Sequence, residues 1–288
     1  MISMRAPAKL NLVLEVLGRR NDGYHDISGI MQTVDLCDEL NFEHAKDLVL
    51  HCTAGELETD ENLVLKAARL LKEKCGYIEG AAISLIKNIP WGAGLGGGSS
   101  DAAAALLALN RLWSAGYSAD ELMTIASQIG SDVPFFIRGG TCLAEGRGER
   151  ITLLPDMQKT WFVLIVPGME SPPGKTAAMY KMVDAALFTM GQYTAKACDE
   201  LVKEKGLPGQ YLYNAFDALS YKAYHGLDIY RDALNRVGAG AVHLAGSGPV
   251  LFAFVADKMR AEEMAEDLKA MKISALAVSS LGRSELEY

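Results

Sequence analysis

A chain of 288 residues, half of them hydrophobic and 22% charged, can bury a large core and carries none of the bias of disordered or fibrous proteins. Its formal net charge of −8, without a dense run of Lys and Arg, excludes a general nucleic-acid binder, although a nucleotide-sized anion needs only one local positive site. Five scattered cysteines without a C-x-x-C pair, five histidines without metal-ligand spacing, and no apolar run fit for a signal peptide or bilayer span predict a cytoplasmic protein, free of membrane and tightly held zinc.

Strands are predicted over residues 9–17, 30–42 and 48–52, rich in Val, Leu and aromatics with polar interruptions. Ala6-Pro7-Ala8-Lys9-Leu10-Asn11-Leu12 leads into the first. Lys9 there is either a strand-edge lysine or an inward-facing cation beside Asn11, suited to a phosphoryl donor or to activating a hydroxyl. Between the first two strands lies Gly18-Arg19-Arg20-Asn21-Asp22-Gly23-Tyr24-His25. Turn chemistry explains Asn21, Asp22 and Gly23, while Tyr24 and His25 either pack or stack on a flat base and bond its edge.

A helix is predicted over residues 62–74, with Leu63, Ala67, Leu70 and Leu71 as its apolar stripe, Asp60 and Glu61 favouring its start and Gly76 ending it. The alternation around Ile83 and Leu85 then predicts a half-buried strand. It leads into Pro90-Trp91-Gly92-Ala93-Gly94-Leu95-Gly96-Gly97-Gly98-Ser99-Ser100-Asp101, followed by a helix whose face carries Leu106, Leu109 and Trp113. Strand, glycine loop and helix start form the arrangement a phosphate cradle needs, with Ser99, Ser100 and Asp101 as helix-starting types. The loop lacks the lysine of a P-loop, and Ser99 stands where a dinucleotide fingerprint wants its third glycine.

Ser118 and Glu121 have capping-box spacing for a helix that should run to Gly130. Ser131-Asp132-Val133-Pro134 predicts another helix entry, with Asp132 either its cap or, near a lysine and phosphates, the acceptor of a substrate proton. The character changes near Asp156, where a domain boundary is expected, giving domains 1–156 and 157–288. Residues 161–166 suit a buried strand and residues 176–237 are mainly helical in period. Strands at 240–244 and 250–255, joined by Gly246-Ser247-Gly248-Pro249, precede a helix carrying Met264 and Leu268 and a last strand at 273–278. That loop is either a plain hairpin turn or a second approach to phosphate. The whole predicts an α+β protein with a sheet covered by helices on one side.

Three motifs, the Lys9 segment, residues 90–100 with their helix, and Leu244-Ala245-Gly246-Ser247-Gly248-Pro249, resemble in order those of the galactokinase, homoserine kinase, mevalonate kinase and phosphomevalonate kinase (GHMP) superfamily. Within it, Asp22-Gly23-Tyr24-His25, Met31-Gln32-Thr33-Val34-Asp35 and Gly130-Ser131-Asp132-Val133-Pro134-Phe135-Phe136 resemble the branch acting on a cytidine-diphosphate-linked methylerythritol in isoprenoid precursor synthesis. The resemblance implies a two-domain GHMP kinase fold, ribosomal-protein-S5-domain-2-like at the N-terminus and ferredoxin-like at the C-terminus, binding ATP and Mg²⁺ between the domains. It implies catalytic Lys9 and Asp132, an ATP site of Asn62, Leu63, Lys87 and residues 90–100, and a substrate site of Asn11, Tyr24, His25, Thr176 and Tyr180. Ser100 is the one metal ligand it suggests, and a monomer or homodimer is expected. Ser171-Pro172-Pro173-Gly174-Lys175-Thr176 departs from the Val-Ser-Thr type expected there. Rival readings are a sibling kinase for homoserine, mevalonate or a sugar, and a non-catalytic sensor, which should have lost Lys9 or Asp132.

Overall fold

The computed structural model describes residues 1–169, 174–204 and 206–286 and builds them around two sheets. Two long strands, β1 (Ile2–Arg19) and β2 (His25–Ala45), form an antiparallel pair at the centre of the first. Around them lie β3 (Val49–Cys52), β4 (Gly80–Ile86), β5 (Thr141–Gly146) and β6 (Arg150–Leu153). The order is β3-β4-β2-β1, with β5 also pairing with β2 and β6 with β5. Both long strands overrun their predicted limits. Register shifts at Pro7/Ala8, Asn11/Val13 and Val16/Gly18 let the pairing continue through positions that break the alternation.

That alternation is weak because the first sheet is covered on both faces. One face packs on α1 (Leu63–Cys75) and α2 (Gly97–Leu112), where Phe42, Ile83 and Leu85 meet Val64, Leu71, Leu106 and Leu109. Residues Ala102, Ala103, Ala104 and Ala105 are all buried, so α2 has little polar surface until its far end. Two short helices, α3 (Ala119–Ala126) and α4 (Val133–Arg138), complete this layer. The capping box of Ser118 and Glu121 is formed, but α3 stops at Ala126 and turns carry the chain to Gly130. Likewise Asn62, rather than Asp60 or Glu61, caps α1 by accepting from the Val64 N–H, and Gly76 ends it in the left-handed conformation.

The second sheet runs β11-β7-β10-β9, from β7 (Trp161–Ile165), β9 (Val242–Leu244), β10 (Leu251–Val255) and β11 (Ala275–Ser279), all antiparallel. Alternate residues face opposite ways. Val163, Ile165 and Ala253 meet Ala261, Met264 and Leu268 of α9 (Lys258–Ala270), whereas Phe162, Leu164 and Phe252 meet Leu10, Leu12 and Ile30 of the first sheet. The intervening chain forms α5 (Lys175–Met182), α6 (Gln192–Glu204), α7 (Asp217–Ala223) and α8 (Leu227–Arg236). It also contributes the two-residue strand β8 (Tyr213–Asn214), which pairs in parallel with Val13 and Leu14 of β1. Among the described residues no helix is long and apolar enough to cross a membrane.

Candidate active site

Strand β4 delivers the glycine loop and α2 receives it. The helix starts at Gly97, two residues before Ser99, because Gly96 takes a left-handed conformation at φ 75° and serves as the cap. Being the first helical residues, Gly97, Gly98 and Ser99 offer N–H groups without intrahelical acceptors, at the positive end of the helix dipole.

The loop is clamped from both sides. The Lys9 N–H donates to the Leu95 carbonyl at 2.9 Å, and the Val250 N–H donates to that of Ala93 at 3.3 Å. Gly94, at φ 92°, lies so close to the β9–β10 hairpin that a Cβ there would sit 2.1 Å from the Ala245 oxygen. Only glycine fits this crossing. A Cβ on Gly246 would in turn lie 3.1 Å from both the Gly94 oxygen and Lys9 Nζ. The three separated motifs therefore meet at one point, and the hairpin loop is part of the site.

They enclose a cleft of about 440 Å³, within the range of small-ligand sites. Pro90, Trp91, Gly92, Ala93, Gly94, Gly96, Gly97, Gly98 and Ser99 all line it. Leu95 and Ser100 instead turn into the protein, and the buried Ser100 Oγ has no hydrogen-bond partner among the described residues.

Lys9 is 4% exposed, so it is an inward-facing cation. Its ammonium donates to Asn11 Oδ1 and stands 3.7 Å from Asp132 Oδ2. Asp132 occupies the residue before α4, yet its side chain makes no capping bond and is one-third exposed. Pro134 and the short helix fix its backbone while leaving the carboxylate facing the cleft. The pair places a proton acceptor beside a fixed positive charge.

Lys87 is placed differently. Its ammonium lies between Asp38 and Asp101, in contact with the first and 2.8 Å from Oδ2 of the second, with all three side chains at most 4% exposed. Burial alone would lower the Lys87 pKa, but the two carboxylates outweigh it and hold the charge above the ordinary lysine value. Burial pushes Asp101 up to about 7 against the pull of Lys87. Asp38 also accepts the N–H groups of Asn88 and Ile89, at 2.6 and 2.8 Å, and so anchors the root of the loop. Sequence reasoning missed Asp38. Its signal was an aspartate in step with Leu36, Leu40 and Phe42, at alternate positions of β2 that are otherwise apolar.

Asn62 and Leu63 reach the cleft at the start of α1, with the Asn62 amide already donating to the Leu57 carbonyl. Asn11, Thr176 and Tyr180 line the opposite part, and Thr176 Oγ1 lies 2.9 Å from Ser247 Oγ. His25, half-buried and outside the lining, stacks on Tyr180 with centroids 5.3 Å apart, and Phe216 meets Tyr180 edge-on at 4.9 Å. Burial lowers the His25 pKa and, with Asp132 nearby, raises that of Tyr180, so both rings favour their neutral forms. Tyr24 stands at the rim, about half exposed and outside the lining, under the Arg147 guanidinium at 4.8 Å. Arg147 and Lys175 line the cleft and were not singled out from the sequence. Ser171, Pro172 and Pro173 lie outside the described residues.

The model of the GHMP kinases N terminal domain matches residues 62–140, and that of the GHMP kinases C terminal matches residues 195–273. The chain is 42% identical over 282 residues to a 4-diphosphocytidyl-2-C-methyl-D-erythritol kinase of Dehalococcoides mccartyi, covering 98% of this chain and 99% of that one. A protein of the same name from Listeria welshimeri is 37% identical over 291 residues, covering 99% and 98%. Among solved structures, a 4-(cytidine 5'-diphospho)-2C-methyl-D-erythritol kinase superposes with a TM-score of 0.82 at 33% identity, over 98% of this chain and all of that one. A homoserine kinase from Cytophaga hutchinsonii, at 19% identity and a TM-score of 0.72 over 98% and 94%, shares the fold. With near-complete coverage at these identities, and both halves of the GHMP architecture present, the chain belongs to the 4-diphosphocytidyl-2-C-methyl-D-erythritol kinase family of the GHMP kinases.

Proposed function

We propose that this protein transfers the γ-phosphoryl group of ATP to the 2-hydroxyl of 4-diphosphocytidyl-2-C-methyl-D-erythritol, a step of the methylerythritol phosphate route to isoprenoid precursors. The observation that carries the reading is the Lys9–Asp132 pair, 3.7 Å apart, in the cleft that also receives the N-terminus of α2. Phosphoryl transfer asks for positioning and charge neutralisation rather than covalent chemistry, and the cradle supplies both.

In this mechanism the N–H groups of Gly97, Gly98 and Ser99 hold the ATP phosphates, and Asn62 and Leu63 border the nucleoside. Asp132 takes the proton of the 2-hydroxyl as its oxygen attacks the γ-phosphorus. The bond to the β,γ-bridging oxygen breaks and ADP leaves with the electron pair. Lys9, held by Asn11, balances the charge gathering around the phosphoryl oxygens. On the acceptor side, Tyr24 and Tyr180 enclose the cytosine, His25 pairs with its edge, and Thr176 borders the same site.

Two buried oxygens at the start of α2, Ser100 Oγ and Asp101 Oδ1, have no hydrogen-bond partner among the described residues. Asp101 lines the cleft, and its unpaired oxygen suits Mg²⁺, a hard cation that takes few protein oxygens and keeps phosphate and water in its shell; Ser100, which faces the interior, would have to turn toward the cleft to join it. When bound with ATP, Mg²⁺ would supply neutralisation of phosphate charge. We further read residues 1–156 as the ATP-binding domain and 157–288 as the second domain of a cytoplasmic monomer or homodimer with small-molecule partners only.

Mixing the protein with MgATP and 4-diphosphocytidyl-2-C-methyl-D-erythritol and following ³¹P NMR tests the reading. A new phosphomonoester signal and ADP are expected. Turnover of homoserine, mevalonate or a sugar in its place would replace the substrate, and binding without turnover would replace catalysis by sensing.

A further inference from the structure

Lys175 is the first residue of α5 and sits in the segment that departs from the expected sequence. Its ammonium reaches between the two glycine loops and donates to the carbonyls of Gly92 and Gly248. The three lysines on the cleft thus have different surroundings. Lys87 has two carboxylates and Lys9 has one, whereas Lys175 has no carboxylate partner among the described residues. Carbonyl oxygens orient an ammonium without cancelling its charge. Burial and the neighbouring positive Lys9 accordingly lower the Lys175 pKa to about 8.

An ammonium has three donors, and Lys175 uses two of them on protein carbonyls. A partly buried cation beside a second cation is unfavourable until an anion arrives. We propose that Lys175 binds a phosphate oxygen of a ligand in this cleft, as a second cation beside Lys9 held between the two glycine loops. The inference rests on the phosphotransfer reading above. The phosphate is either part of the ATP chain, which the Gly92 loop borders, or part of the diphosphate of the cytidine substrate.

The test compares wild type with Lys175→Gln, which can still donate to the two carbonyls but lacks the charge, and with Lys175→Arg, which keeps it. Calorimetric titration with MgATP and, separately, with CDP reads binding without turnover, so a failure of the proposed reaction and a failure of this inference are distinguishable. Lys175→Gln is expected to weaken one of the two ligands about tenfold or more, the size of a charge-assisted hydrogen bond, and Lys175→Arg to restore most of it. Weakening of MgATP alone assigns the contact to the donor, and of CDP alone to the acceptor diphosphate. Titrations at pH 8.5 in two buffers of unequal ionisation enthalpy add a second readout. The wild type is expected to take up a proton with the affected ligand and Lys175→Gln to take up less, while Lys9, Lys87, Glu61, Asp101, Asp132 and Arg147, the other charged groups on the cleft, are unchanged. Wild-type affinity for both ligands in Lys175→Gln, or equal proton uptake in the two proteins, overturns the inference.

Discussion

The loop side of the cleft and its aromatic side are built on different plans. On the loop side the backbone is held by the Lys9 N–H, by the Val250 N–H and by a buried Asp38–Lys87–Asp101 group at its root. On the aromatic side, Tyr24 is half exposed under Arg147, and His25 and Tyr180 lean on each other rather than on a scaffold of hydrogen bonds. Binding that needs charge stabilisation gains from donors fixed in advance, whereas a planar base can be gripped by a few rings that close on it. In the proposed reaction the first side therefore governs rate and fold, and the second governs which alcohol enters.

The largest effect expected from this division is at the carboxylate where the sides meet. Asp132→Asn should lower kcat by roughly 10²- to 10⁴-fold with little change in ATP affinity; a near-normal rate would remove Asp132 from its role as base. Next comes Lys87→Met. It leaves two buried carboxylates without their cation and should reduce stability by about 3–5 kcal/mol in urea denaturation. A stable variant with a raised KM for ATP would mean that Lys87 serves the nucleotide instead of the foundation.

Tyr24→Ala should raise the KM for the cytidine substrate about tenfold, the scale of one base stacked on one ring, while the KM for ATP stays put. A rise confined to ATP would erase the contrast between the sides. Asn62→Ala should give the smallest change, about 1 kcal/mol of stability from loss of the α1 cap, read as a lower melting temperature. An unchanged melting temperature together with weaker ATP binding would show Asn62 working on the nucleotide alone.

The loop side was the more legible in sequence because its parts are contiguous. Residues 90–100 announce a cradle within one stretch, and the capping pair Ser118 and Glu121 is read three residues apart. The start of α2 was placed late, since serines at Ser99 and Ser100 carry the usual helix-starting chemistry while the actual cap is a left-handed glycine. Asp38 escaped notice because its partner is 49 residues away, and Asp35, Glu39 and Glu43 in the same strand leave it no distinct local pattern. The aromatic side brings His25 onto Tyr180 across more than 150 residues, a juxtaposition set by packing and carried over by family resemblance rather than by spacing, while Phe216, edge-on to Tyr180, had no such signal. Lys175 fell in a segment noticed for not matching. Strand lengths were underestimated wherever burial on both faces erased the alternation.

The two-residue strand β8 has a consequence for anyone who cuts the chain. Tyr213 and Asn214 complete the first sheet beside Val13 and Leu14, and the Asn214 amide then donates to the carbonyls of Leu244 and Gly246 at 2.8 and 2.9 Å. Leu281 similarly returns to the early strands, its carbonyl accepting from Gln32 and Thr33. A fragment ending at Asp156 would lose these pairings and expose the edge of β1, an invitation to join strands with another copy. Expression of either half by itself should yield aggregates, and co-expression of the two halves should rescue solubility by letting β8 return to its place.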